Sequence, residues 1–471
     1  MTEEQSYDVV VVGGGIAGLV AANRLGQLGR RAVVLEQGSE ELYPCNTRYT
    51  GGTLHVCMRN VMSDESSHRQ AIIDATAGFV TDNLASLIAR ECQRVVRWLQ
   101  DEGLGFIKSD GELHHGWVLA PPVTTQPGLD WKGRGGDVLL RTLESHLVKR
   151  GGVLVRNTRG RSLIMEQHEC RGVVAQQGER EARCRARAVV LAGGGFQANA
   201  ALVKQYISER PERLKQRSAG TGRGDCLQMA SAVGARIVGT HCFYGHLLSR
   251  DAMTNDKLWP HPYMDNLATA GIVVGPTGER FVDEGRGGVY MANIIAKLPD
   301  PLSTAVIFDQ AIWDGPGRTR IVPINPFLPR VGGTLLVAED LSALAGKLGM
   351  ESGRLVETVS SYNTAIAAGA LSTLNPPRRT SHYQARPITT APFYAAPACA
   401  GITDTMGGIA INEYAQALSE DGSAIRGLYV AGAATGGLEG GPEIGYVGGL
   451  VKGGVTGLAA AEHIARHFFP N

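Results

Sequence analysis

The sequence predicts an α/β protein, a parallel sheet with helices interrupted by an inserted α+β domain. Three observations carry this. Residues 7–36 read as strand, glycine turn, helix and strand. Buried-type apolar runs ending in glycine return at 188–195 and around 430–432. Between them, residues 239–390 change composition and hold many of the His, Trp, Pro and Tyr residues. The predicted domains are therefore 1–238 plus 391–471, with 239–390 inserted.

The first element sets the chemistry. An apolar strand, Val9–Val12, runs into Gly13, Gly15 and Gly18, spaced G-x-G-x-x-G. Ala17 opens a helix reaching about Leu28, and a second apolar strand, Ala32–Leu35, ends at Glu36 with Gln37 beside it. Gly13 makes the tight turn, Gly15 lets the backbone approach a pyrophosphate, and Gly18 lets helix and strand pack closely. The helix N-terminus faces the phosphates, and the Glu36 carboxylate is placed to take ribose hydroxyls. This is a Rossmann-like dinucleotide site. The motif alone leaves open whether the dinucleotide is FAD or NAD.

Bulk properties exclude several classes. The chain of 471 residues is long enough for two or three domains. Lys plus Arg number 46 against 45 Asp plus Glu, so no electrostatic footprint for nucleic acid or an anionic membrane is expected. Eight cysteines, at 45, 57, 92, 170, 184, 226, 242 and 399, include no C-x-x-C. No metal or iron–sulfur site is expected, and scattered thiols read as reduced and cytoplasmic. The first strand begins too early for a secretory signal, and no apolar run is long enough to span a bilayer.

Further along, residues 39–62 form a polar loop whose Asn46, Thr47, Thr50, Gly51 and Gly52 would bring hydroxyls and backbone N–H groups to a flat ligand. Residues 68–104 look helical, as do 137–150 after Gly135-Gly136. A hairpin-like region follows to about Arg187, then a buried strand at 188–192 running into Gly193-Gly194-Gly195. Gly222 and Asp225 belong to G-T-G-R-G-D, before a helix over 226–233. The insert contains W-P-H-P-Y and G-E-R-F-V-D-E, then helical patterns at 341–348 and 352–368. The last part holds T-M-G-G, a strand entering a turn at Gly432, and an Ala-rich helix over 451–465 preceded by Gly449 and Leu450.

These pieces, in this order and over essentially the whole chain, resemble the flavoprotein family of fumarate reductases, succinate dehydrogenase flavoprotein subunits and 3-ketosteroid dehydrogenases. The resemblance rests on V-V-V-V-G-G-G-I-A-G-L with Glu36, N-T-R-Y-T-G-G, A-R-A-V-V-L-A-G-G-G-F, G-T-G-R-G-D, G-E-R-F-V-D-E, T-M-G-G and G-L-Y-V-A-G running into Y-V-G-G. It implies FAD rather than NAD, bound non-covalently, and an inserted domain that caps the substrate. It implies a dehydrogenase or reductase acting on a C–C bond next to a carboxylate or carbonyl. Within the family, residues 381–394 and the G-Y-V-G-G ending resemble the tricarballylate dehydrogenase branch. That implies a small organic acid as substrate and a separate protein as electron acceptor.

The departures open alternatives. The catalytic Arg position, four residues after Glu284, is Gly288. Asp404 replaces the His before T-M-G-G, Tyr446 replaces the Arg of R-L-G-G, and Ala433 replaces a flavin-contacting Glu. Cys45 stands where covalently linked subunits carry a His. His246 matches another fumarate-site His. The candidate catalytic residues are Tyr290 as proton acceptor, Tyr446 as donor to a carbonyl, His246, and Arg286 for a carboxylate. Arg280 and Glu284 are expected to pair internally. Loss of the cationic clamp and the two tyrosines, Tyr290 and Tyr446, motivate a first alternative, a ketosteroid-type desaturase of a cyclic ketone. A flavin-binding carrier subunit without turnover is the remaining alternative.

Overall fold

A computed structural model describes residues 3–108, 116–124, 126–318 and 327–470. Its centre is a six-stranded sheet in the order Gln416–Leu418, Ala424–Val430, Ala188–Leu191, Val9–Val12, Ala32–Leu35, Val153–Val155. All neighbours are parallel except the first pair. The three middle strands are apolar along their whole length because both faces are covered. Helices Ile16–Gln27 and Gly449–Phe468 pack together beside this sheet. Their closeness depends on small residues: a Cβ on Gly457 would lie 2.7 Å from the Ala17 carbonyl oxygen.

The hairpin-like region is a meander, Thr158–Glu166, Glu169–Gln177 and Arg180–Arg185, extended by Glu3–Ser6. The helical region at 68–104 is two helices, Glu65–Thr76 and Asp82–Asp101. Ala77 and Gly78 both take positive φ, which ends the first. The polar loop contains a short helix, Asn46–Tyr49, and a small hairpin of His55–Val56 with Arg59–Asn60. Arg48 anchors this loop from below. It is fully buried, bonded to Asp137, and donates to the Tyr43 carbonyl at 2.9 Å.

The second core is built on a sheet of Lys215–Gln216, Phe393–Thr405, Thr304–Asp309 and Ile272–Val274. Phe243–Ser249 and Leu336–Ala338 also pair with Phe393–Thr405. This core extends past the predicted limits of 239 and 390. It recruits Phe196, Leu202, Val203 and Leu214 before the insert, and Ala395–Ile402 residues after it. The reason is the thirteen-residue strand Phe393–Thr405, which carries the sheet and then leads back to the first domain.

Candidate functional site

One cavity of about 1360 Å³ runs between the two cores. That exceeds the ~300–1,000 Å³ usual for a single small-molecule site, so it has room for a dinucleotide and a small molecule beside it. At one end the turn after Val9–Val12 supplies the floor. Gly13 has φ +107°, and a Cβ there would lie 2.5 Å from the Ala192 carbonyl oxygen. Only glycine lets the two glycine turns, at 13 and 193, approach this closely. Glu36 is buried and accepts from the Gly14 and Gly38 N–H groups, both at 2.8 Å. A carboxylate has about four acceptor positions, so two remain for ribose hydroxyls. Burial raises its pKa, and the two N–H donors work against that shift.

The other sequence-predicted binding residues meet here. Ala17, Gln37, Thr47, Thr50, Gly51 and Gly52 line the cavity, as do Gly15, Gly193, Gly194, Gly222 and Gly432. Gly449 and Leu450 bring the N-terminus of Gly449–Phe468 to it, a place favourable to negative charge. Gly18 does not line it. A Cβ there would lie 2.0 Å from the Gly13 carbonyl oxygen, so its role is packing of helix on turn. Several side chains are committed to the protein. Thr47 Oγ1 accepts from Ile16 N–H at 3.0 Å. Asn46 donates to the Thr403 carbonyl at 2.9 Å and accepts from Ala219 N–H at 3.0 Å, tying the loop to both flanks. Asp225 makes a bidentate pair with Arg159 at 2.6 and 2.7 Å.

The far end is aromatic and polar. Tyr446 stacks on Tyr244 with centroids 3.8 Å apart. Its hydroxyl accepts from Gly449 N–H at 2.8 Å, and burial raises its pKa well above the usual phenol value. It therefore stays a neutral O–H donor. Tyr244 and His246 sit two apart on Phe243–Ser249, opposite a bulge at Thr403 in the partner strand Phe393–Thr405. Tyr244 Oη is 2.9 Å from His246 Nε2, and His246 Nδ1 is 2.6 Å from Asp265 Oδ2. Asp265 Oδ1 accepts from Leu247 N–H at 2.9 Å. Gly288 adjoins this carboxylate. A Cβ there would lie 1.9 Å from Asp265 Oδ2, so no side chain, arginine included, fits while Asp265 keeps its place.

The cationic groups are compensated. Arg286 pairs with Glu443 at 2.7 Å, donates to the Pro442 carbonyl at 2.7 Å, and lies 3.5 Å over the Tyr290 ring. Arg379 pairs with the same Glu443 at 2.9 Å and approaches Asp283 at 3.6 Å. Tyr290 is not among the cavity-lining residues, because its ring forms the platform under Arg286. Arg280 and Glu284 form a buried bidentate pair at 3.0 and 2.6 Å that shapes the insert. Arg217 differs: it donates to the Thr403 hydroxyl at 2.9 Å and to the Pro260 carbonyl at 3.2 and 3.3 Å. No carboxylate pairs with it among the described residues. Asp404 Oδ1 is shut in with no hydrogen-bond partner among them, and burial pushes that carboxyl up to about 7. Burial pushes the Cys45 thiol up to about 12.

The FAD binding domain family matches residues 8–445. The chain belongs to that family. As a member of the FAD binding domain family it has FAD as its cofactor, and the glycine turns, Glu36 and the helix N-terminus suit that group. It is 25% identical to the NADH:fumarate oxidoreductase of Klebsiella pneumoniae (strain 342), over 94% of this chain and 46% of that protein. The chain thus spans about half the length of the first curated relatives it matches. It is 24% identical to the 4-oxocyclohexanecarboxylate 2-dehydrogenase of Sinomonas cyclohexanicum, over 97% of this chain and 91% of that one. The fold is also that of the 3-ketosteroid-Δ4-(5α)-dehydrogenase of Rhodococcus jostii RHA1. There the TM-score is 0.74 at 21% identity, over 99% of this chain and 98% of that one.

Among the described residues, no helix is long and apolar enough to cross a membrane, and no group of three or more His, Cys, Asp or Glu is placed to hold a metal ion. Sequence reasoning passed over Tyr244, Asp265 and Arg217. Tyr244 had a signal, since residues two apart on a strand share a face. Asp265 had none, because its partner His246 lies nineteen residues away across a loop.

Proposed function

We propose that this FAD-binding chain is an oxidoreductase that dehydrogenates, or reduces, a C–C bond next to a carbonyl, with a compact ketone as substrate class. The observation that carries the proposal is the pair of stacked tyrosines, Tyr244 and Tyr446, at a cavity end whose nearby guanidiniums, Arg286 and Arg379, are neutralised by acids. FAD, when bound, supplies the two-electron oxidation or reduction. Gly13, Gly15 and Glu36 would hold its pyrophosphate and ribose, and Thr47, Thr50 and Gly51 would flank its ring. The protein's own contribution is electrostatic. Tyr446 keeps its proton and donates to the substrate carbonyl oxygen, so that the adjacent C–H becomes acidic as enolate charge develops. A carboxylate on the same molecule would suit Arg217, which lines the cavity and donates only to neutral oxygens among the described residues. The named activity of the Sinomonas relative, on a ketone with one carboxylate, supports that combination.

A tricarballylate-like reaction has less support, because two of the guanidiniums beside the stacked tyrosines, Arg286 and Arg379, are already held by Glu443. A carrier role without turnover leaves the tyrosine pair without a purpose. The electron acceptor in this reading lies outside the chain: oxygen, a diffusible compound or a partner protein. All eight cysteines are free thiols, which fits a reducing, cytoplasmic setting. The test is an anaerobic titration of the flavin spectrum with 4-oxocyclohexanecarboxylate, cyclohexanone, tricarballylate and succinate, and of the dithionite-reduced protein with the matching enones and unsaturated acids. Bleaching or reoxidation by ketones and enones is expected. A response to the polycarboxylates alone would sink the proposal.

A further inference from the structure

We infer that Tyr244, His246 and Asp265 form a proton relay, with Tyr244 as the group that exchanges a proton with the substrate carbon. This rests on the carbonyl reading above. The argument begins with Asp265. It is buried, its Oδ1 accepts from Leu247 N–H, and its Oδ2 lies 2.6 Å from His246 Nδ1. An ionised carboxylate only accepts, so Nδ1 carries a proton, and in the neutral ring Nε2 then presents its lone pair. The group 2.9 Å from that lone pair is the Tyr244 hydroxyl, which therefore donates to it. Tyr244 and His246 both line the cavity, which puts this pair beside the substrate space. Tyr263 stacks on a face of His246, centroids 4.5 Å apart, and fixes the ring plane. This is the general arrangement of an activated group, a base and an orienting carboxylate.

In the dehydrogenation direction the C–H next to the carbonyl breaks and its proton passes to the Tyr244 oxygen. The phenolic proton moves in the same step to His246 Nε2, and the imidazolium so formed is stabilised by Asp265. The electron pair left on carbon becomes the new double bond, and the hydride lost from the neighbouring carbon is balanced by the two-electron oxidant, FAD. In reverse, the imidazolium reprotonates Tyr244 as Tyr244 gives its proton to carbon. A phenol near pKa 10 is a poor base alone, and the relay means that it never has to exist as a free phenolate. Gly288 fits the same reading. The space that a side chain there would fill is held by the Asp265 carboxylate, so a catalytic arginine and this relay exclude each other.

The test compares wild-type holoenzyme with Tyr244→Phe and Asp265→Asn. The readouts are FAD content, the Kd of 4-oxocyclohexanecarboxylate, the anaerobic flavin-bleaching rate with that ketone, and the far-downfield proton NMR spectrum of the oxidised protein without ketone. Expected are FAD content and Kd within about twofold in all three proteins. The bleaching rate falls by about 10²-fold or more in Tyr244→Phe, the usual scale for a lost general base. The wild type should show a strongly deshielded His246 Nδ1–H resonance, absent in Asp265→Asn and shifted in Tyr244→Phe. A Tyr244→Phe protein bleaching at the wild-type rate overturns the inference, as does a spectrum in which Asp265→Asn removes no downfield resonance. If the wild type is not bleached by this ketone, the substrate reading fails. The resonance alone then decides: lost in Asp265→Asn and shifted in Tyr244→Phe, the relay stands; unchanged, it falls.

Discussion

Lys452 and Glu439 are the buried ion pair on which the Tyr446 loop rests. Lys452 Nζ is 2.5 Å from Glu439 Oε2, and both side chains are 2% exposed. The other oxygen, Glu439 Oε1, accepts from the Val447 and Gly448 N–H groups at 3.0 and 3.1 Å. Glu439 thus ties the loop to the helix Gly449–Phe468. Lys452→Met removes the cation and leaves a carboxylate buried on two N–H donors. Breaking one side of a buried pair costs about 3–5 kcal/mol, because the remaining charge keeps its desolvation penalty. The unfolding entropy at about 2.1 cal/mol/K per residue comes to about 1 kcal/mol/K for a chain of this length. The expected fall in Tm is therefore about 3–5 °C, read by circular dichroism on the FAD-loaded protein at one fixed flavin concentration. Glu439→Gln alone should fall by a similar amount. The double variant should recover a large part of the loss, since no unpaired charge remains. Single variants melting within about 1 °C of wild type would refute the reasoning.

Two further outcomes follow from the site. The Asp404 carboxyl is raised to about 7 by burial, so the folded protein holds a proton there that the unfolded chain releases near pH 4. Stability from this group is complete below about pH 4, falls as pH rises towards 7 and levels off above; urea midpoints of Asp404→Asn should lose that part of the slope, and an unchanged slope would count against the assignment. The Cys45 thiol, pushed up to about 12, stays protonated and unreactive near neutrality, so flavin should appear in the supernatant after acid precipitation; a yellow pellet from wild type that turns white in Cys45→Ala would show a covalent link instead.

Much of the dinucleotide half was legible in the sequence because its constraints are local. A tight turn with φ +107° at Gly13, a helix N-terminus and an acid at the end of the next strand all fall within thirty residues. Short-range geometry leaves a fixed spacing there, and the spacing can be read. Composition set residues 239–390 apart, as expected of a stretch that builds a second core with its own aromatic and apolar residues. Tertiary structure decided three things. The second core reaches to Phe196 and Ile402 because the thirteen-residue strand Phe393–Thr405 carries its sheet. Arg286 and Tyr290, promising as neighbours in a motif, are spent on each other and on Glu443, a partner 157 residues away in the chain. Asp265 reaches His246 from a separate helix, in the space that Gly288 leaves. Charge compensation and proton contacts depend on which side chains meet across elements. No local spacing encodes that, so only the folded chain could show it.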